Sequence, residues 1–207
     1  EELIEKGGST RFAGQTEYRF SHSLMRDATY DLLTDEDRRK GHGVVGNCLI
    51  ATDAACAEIL GKDTRQSVVA LLDSSTGRTA LAKHGALFDI VYHMNRAFEP
   101  DQNASAMVPL IELNLMAAQR ADAANAIDTA LQYSSSGQRF LAEPFWSSHF
   151  DLCFELCTRA GEYAYFAGQT QRSQKEFLLV EDRLSTIDQL TQYMTLRTSQ
   201  AEMLGIP

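Results

Sequence analysis

The chain has 207 residues, of which 44% are apolar, 23% charged and 9% aromatic, enough apolar material for one large or two small domains. Its net charge of −9 argues against a surface built to neutralise phosphates, and so against nucleic-acid binding. No apolar run reaches the roughly 18 to 20 residues of a membrane span, and no basic-then-apolar leader opens the chain. The opening Glu-Glu-Leu-Ile-Glu-Lys, without Met, reads as the last turns of a helix in a fragment of a longer protein.

In chain order, Gly7-Gly8 ends that first helix. Residues 10–12 and 17–20 are short strand candidates around Gly14, forming a small hairpin. Tyr18 and Phe20 alternate with Arg19 and Ser21; at His22-Ser23 the period changes to helical, with Leu24, Ala28 and Leu32 recurring. Ser23 is placed as the N-cap of a helix over 23–33. Thr34 and Asp37 form a capping box for a second helix, 35–60, whose charged start offers i,i+4 ion pairs. The pattern weakens over 61–80, an expected loop insertion in which 67–72 is a short helix and 73–77 a loop. A helix over 81–98 buries Leu87, Ile90, Val91 and Met94. Helices over 106–120, 123–141 (capped by Asp122), 147–166, 171–184 and 187–204 follow at regular spacing. Antiparallel helices of 15 to 20 residues joined by tight turns define a helical-repeat array. The run Tyr163-Ala164-Tyr165-Phe166-Ala167-Gly168 is tetratricopeptide-like, because small residues permit close helix crossing before a glycine turn.

Several motifs carry possible chemistry. Gly41-His42-Gly43-Val44-Val45-Gly46 spells a dinucleotide fingerprint, but a charged helical segment precedes it where a strand is required, so glycines at a helix crossing are the reading. His149, Cys153 and Cys157 lie along one helix face and, with His93, would resemble a zinc set; Phe150, Phe154 and Gly161 share that face and favour core packing instead. A metal-dependent enzyme is therefore the remote alternative, and no catalytic residues are assigned. Cys48, Cys56, Cys153 and Cys157 show no CxxC spacing and read as reduced, cytoplasmic thiols. Phe145 and Trp146 after Pro144 are packing aromatics rather than a docking anchor. Asp27 and Asp31 mark a solvated helix edge. No G-x-x-x-x-G-K-[ST] loop is present, so these residues alone do not hydrolyse nucleotide.

The stretch 18–33, an aromatic strand followed by Ser21-His22 and an amphipathic helix with Arg26-Asp27-Ala28, resembles the end of the winged-helix domain in signal-transducing (STAND-type) P-loop NTPases. Residues 87–96, with Glu112-Leu113-Asn114-Leu115, Ala130-Leu131-Gln132-Tyr133 and the 160–168 segment, resemble in order the regions that follow in very large multi-domain signalling ATPases. Together these cover most of 17–207, excluding about 61–80. The resemblance implies a mainly α chain: a winged-helix remnant (1–33), a linking helical region (34–98) and tetratricopeptide-like repeats (99–207) forming a superhelix. It implies that His22 reaches the β-phosphate of ADP and senses nucleotide; Ser23 stands where the motif usually carries an acid. ATP or ADP with Mg is then expected for the parent chain, with no cofactor or metal in this segment. The implied function is non-catalytic: a regulatory and protein-interaction segment of a sensor histidine or Ser/Thr kinase. Its implied partners are the chain's own NTPase and kinase modules, and other proteins through the helical surface. The same arrangement occurs in large transcription activators and in adenylate-cyclase-linked ATPases. A free-standing helical adaptor is the other reading.

Overall fold

The computed structural model describes residues 4–7, 16, 18–60, 67–72, 74–100 and 104–203. Among them the chain is mainly helical, with twelve helices and one two-stranded antiparallel sheet. Two compact units are present, Glu1–Ala117 and Ala118–Pro207. No single helix among the described residues is long and apolar enough to cross a membrane.

In the first unit, β1 (Ile4–Lys6) pairs with β2 (Tyr18–Phe20) in the register Ile4↔Phe20, Glu5↔Arg19. The helix end expected at 1–6 is therefore a strand at 4–6. β-branched Ile4 suits a strand, and the register sets Glu5 opposite Arg19 in the ladder. The strand expected at 10–12 lies outside the described residues.

Helix α1 (Ser23–Asp31) follows β2 directly, and none of its residues is buried. Its cap is His22, one residue earlier than expected: His22 is extended, and its carbonyl accepts from Met25 and Arg26 N–H at 3.1 and 3.3 Å. Helix α2 (Asp35–Ile50) opens on Thr34, whose hydroxyl oxygen accepts from Asp37 N–H at 3.1 Å, behind an acidic first turn that suits the helix dipole. The expected helix 35–60 breaks after Ile50. Thr52 Oγ1 donates back to the Leu49 carbonyl, and Asp53 caps α3 (Ala54–Leu60) by accepting from Ala55 and Cys56 N–H. The two helices meet at a bend of 106°.

Helix α4 (Ser67–Leu72) is the short helix expected there, whereas α5 (Ser75–Lys83) replaces much of the expected loop. Ser74 caps α5, so the serines and glycine read as a loop are a helix start. Gly77 is obligatory there: a Cβ would lie 2.2 Å from the Leu71 carbonyl oxygen. The helix expected over 81–98 is cut at 84–86, where His84 is extended and its Nδ1 accepts from Ala86 N–H. Helix α6 (Leu87–Ala97) then buries Leu87, Ile90, Val91 and Met94, as the periodicity requires. It packs on α2 where Gly46 meets Met94, with an ideal Cβ only 3.2 Å from its sulfur. The glycine run 41–46 thus lies within a helix at a crossing.

Helix α7 (Ala104–Ala123) contains Pro109 in its interior and ends without Asp122 acting as a cap. Instead Asn125 adopts φ +57°, and the chain closes a Schellman turn: Ala126 N–H to the Ala121 carbonyl at 2.9 Å, and Asn125 N–H to the Asp122 carbonyl at 2.7 Å. Helix α8 (Ile127–Gln138) follows, then short α9 (Phe145–Ser148), α10 (Phe150–Phe166), α11 (Thr170–Glu181) and α12 (Ile187–Met203). The α10–α11 turn is built the same way, with Gly168 at φ +75°, Gln169 N–H to the Ala164 carbonyl at 2.8 Å and Gly168 N–H to the Tyr165 carbonyl at 2.9 Å.

These two turns lie 43 residues apart, and at that offset most of the buried positions coincide, buried Leu131 against exposed Gln174 being an exception. Leu110, Ile111, Leu113, Ala117, Ala118 and Ala121 correspond to Cys153, Phe154, Leu156, Ala160, Gly161 and Ala164, and all are buried. Ala130 and Ser134 of α8 likewise match Ser173 and Phe177 of α11. The helical hairpin is therefore repeated. One difference is local: Phe177 presses on Gly161, where a Cβ would stand 2.9 Å from its ring, whereas the first hairpin carries Ala118 and Ser134 at those places.

Candidate functional site

His22 stands at the β2–α1 junction with an exposed side chain that makes no cap bond to the helix it precedes. The far end of α1 is held by α2. Arg38 donates to the Tyr30 carbonyl at 3.1 Å and the Asp31 carbonyl at 3.0 Å, and lies 4.9 Å over the Tyr30 ring. A cation on the last carbonyls of a helix satisfies orphan acceptors and complements its dipole. Asp27 pairs with adjacent Arg26, and Asp31 lies 3.8 Å from Arg38.

Beside this clamp the structure forms a cluster that local spacing does not reveal. Tyr30 Oη lies 3.0 Å from His42 Nε2, and His42 Nδ1 lies 2.8 Å from His93 Nδ1. Tyr92 meets both imidazoles edge-on and carries the Arg96 guanidinium 4.5 Å over its ring. Two facing nitrogens at that distance accommodate one proton between them, because a second would set N–H against N–H. Burial holds His42 below the ordinary imidazole range, reinforced by His93 and then Arg96. Burial likewise lowers His93, with Arg96 acting in the same direction and Asp89 opposing it. Arg39 pairs with Glu99 next to this cluster, and Asn95 and Asn114 exchange reciprocal amide bonds at 2.8 and 2.7 Å. His93, a conceivable zinc ligand from sequence, is thus engaged with His42.

His149 turns to Ser148 Oγ at 2.8 Å, while Cys153 and Cys157 are buried. Burial pushes the Cys153 thiol up to about 11 and the Cys157 thiol up to about 12; Cys56, also buried, rises to about 11. Thiols so raised stay protonated at neutral pH and pack as small hydrophobes. Among the described residues no group of three or more His, Cys, Asp or Glu is placed to hold a metal ion. Phe145 is buried, and Trp146 packs against the cluster of Phe154, Cys157, Phe177, Val180 and Tyr193, with Arg183 5.9 Å from its ring.

The second unit carries a cavity of about 440 Å³ bordered by α10, α11 and α12, within the range of small-ligand sites. Aromatic Tyr165, Phe166 and Phe177 line it together with Asp122, Glu162, Arg197 and Gln200. A polar strap crosses one side. Arg197 lies 4.1 Å over the Phe177 ring and donates to Gln200 Oε1 at 3.2 Å, and Gln200 donates to Glu162 Oε1 at 2.6 Å. Asp122 accepts from Tyr163 Oη at 3.3 Å and lies 4.0 Å from Arg159. Sequence spacing misses this site because it needs the last turn of α7 and three later helices at once. The one available signal is the aromatic pair Tyr165-Phe166, too many for the buried stripe of α10.

Compared with known proteins, the chain matches no family model, no curated protein and no solved structure.

Proposed function

We propose that this chain is a non-catalytic regulatory and protein-interaction segment of a large cytoplasmic signalling ATPase or kinase, coupling nucleotide state to a downstream output. The observation that carries the reading is His22, exposed at a strand–helix junction whose helix is clamped at its other end by Arg38. An imidazole so placed can donate to a phosphate on a neighbouring nucleotide domain, and α1 passes any displacement to α2. On this reading β1, β2 and α1 are the remnant of a winged helix. The repeated α7–α8 and α10–α11 hairpins are tetratricopeptide-like units of a superhelix. ATP or ADP with Mg belongs to the parent chain, and the output is a kinase module, a transcription activator or a cyclase. In a chain that includes the upstream NTPase, His22→Ala is expected to accelerate ADP dissociation; an unchanged rate removes the sensing role. A free-standing adaptor is the second reading, favoured by the cavity in the second unit, and it would bind its partner with full affinity in the 207-residue chain without nucleotide.

A further inference from the structure

We propose that the cavity bordered by α10, α11 and α12 receives an arginine or lysine side chain from a protein partner, with Asp122 and Glu162 supplying the charge and Tyr165, Phe166 and Phe177 the ring surface. The inference rests on the protein-interaction half of the proposed function and is independent of the nucleotide half.

Charge selects the ligand class. Residues 118–207 contain eleven acidic and seven basic side chains, so an anion would approach against the field of the whole unit. Inside the cavity it would meet two carboxylates and one guanidinium, and that guanidinium is already engaged with Phe177 and Gln200. A cation meets Glu162, bonded to the neutral Gln200 amide, and Asp122, bonded to Tyr163 Oη and 4.0 Å from Arg159, with aromatic faces for its apolar stem and π contact. Arg197 shows that the walls accept this chemistry, since the chain's own guanidinium lies on Phe177.

The repeated hairpin shows what is particular here. The counterparts of Glu162, Phe166 and Phe177 in the first hairpin are Gln119, Ala123 and Ser134, one neutral amide and two small residues. In the second hairpin the same places supply an acid and two rings, and with Arg197 in place a volume of about 440 Å³ is left. A side chain on a peptide, rather than a free amine, accounts for the rim. Tyr165 and Phe166 are 38% and 57% exposed and offer apolar surface to the residues flanking a bound cation.

The test is fluorescence anisotropy of the 207-residue chain, without nucleotide, against a short fluorescein-labelled peptide alternating leucine and arginine and a twin with glutamate for arginine. The arginine peptide is expected to bind saturably and the glutamate twin not at all. Glu162→Gln and Phe166→Ser should each weaken binding roughly fivefold, as loss of a charge partner or an aromatic face entails. Arg197→Ala should tighten it by about threefold by baring Phe177 and removing a like charge. Phe166 and Arg197 are exposed and Glu162 half-exposed, so far-UV circular dichroism serves as the check that each variant folds. Equal binding of the glutamate twin, or an affinity that neither Glu162→Gln nor Phe166→Ser moves, would overturn the proposal. So would silence from both the natural chain and Arg197→Ala. Agmatine binding as tightly as the peptide would overturn the assignment to a protein partner. Because no nucleotide is present, none of these failures bears on His22, and an unchanged ADP release in His22→Ala bears on none of them.

Discussion

The two units hold themselves together in different ways. In the first, α2 and α6 meet along a seam of specific polar contacts, His42 with His93 and Arg39 with Glu99, beside the close approach of Gly46 to Met94. In the second, α10 is surrounded by small residues and aromatic rings, and the closest approach is Phe177 on Gly161. A polar seam specifies register and responds to protons; a close-packed one responds to volume. The units should therefore fail under different perturbations.

The largest expected effect is an exception to that division. Gly77→Ala in the first unit places a methyl 2.2 Å from a backbone carbonyl that has nowhere to go, and should cost about 3 kcal/mol in urea unfolding. Gly161→Ala in the second unit meets the edge of the Phe177 ring at 2.9 Å and the Glu176 Cβ at 3.3 Å, and should cost about 1–2 kcal/mol. Its sign should reverse in a Phe177→Ser background, which copies the Ala118 and Ser134 pair of the first hairpin. There the 3.3 Å approach to the Glu176 Cβ remains, and the helix propensity of alanine, worth about 0.5–1 kcal/mol, should outweigh it. A Gly161→Ala cost that persists in that background would show that the two hairpins are not equivalent. Thr34→Ala removes the α2 cap and should cost about 1 kcal/mol, read by hydrogen exchange of the first turn of α2.

The smallest effects are those of pH, and they run in opposite directions. Both His42 and His93 are held below their ordinary 6.5, so as pH falls below about 6.5 the unfolded chain takes up protons first. Stability present above that pH is lost until the lowered folded-state values are passed. In the second unit burial raises Glu176 above its ordinary 4.5, against the Gln138 amide and Arg172. Its contribution is present below pH 4.5 and is lost as pH rises through the raised value. Trp146, the sole tryptophan, reports the second unit by fluorescence, and hydrogen exchange of α6 reports the first. His42→Gln should flatten only the first slope and Glu176→Gln only the second; a common response would mean that the two units unfold as one.

The sequence told the helical character well where apolar spacing was long and regular. The stripes from Leu87 to Met94 and from Cys153 to Ala164 are buried on the expected faces. It misled where one short polar side chain redirects the backbone. Asp53 and Ser74 each start a helix that periodicity had merged or discarded, and Asn125 rather than Asp122 governs the α7–α8 turn. Strand β1 is set by its partner β2, so nothing within Ile4-Glu5-Lys6 announces it. The repeat is hard to see in the sequence because its two turns use different residues, Asn125 and Gly168, for the same left-handed conformation. The strand–helix junction at His22 was legible because a change of period marks it. The His42–His93 pair and the α10–α12 cavity were not, since each depends on helices far apart in the chain.

One further property follows from the burial of Cys56, Cys153 and Cys157 beside the exposure of Cys48. In the folded chain a maleimide should react with a single thiol, and the other three should follow only at the rate of unfolding. Cys48 lies six residues along α2 from His42, about 9 Å at the helical rise. A spin label or fluorophore attached there without any mutation would sit on the helix that grips α1, and its mobility would register a release of the Arg38 clamp.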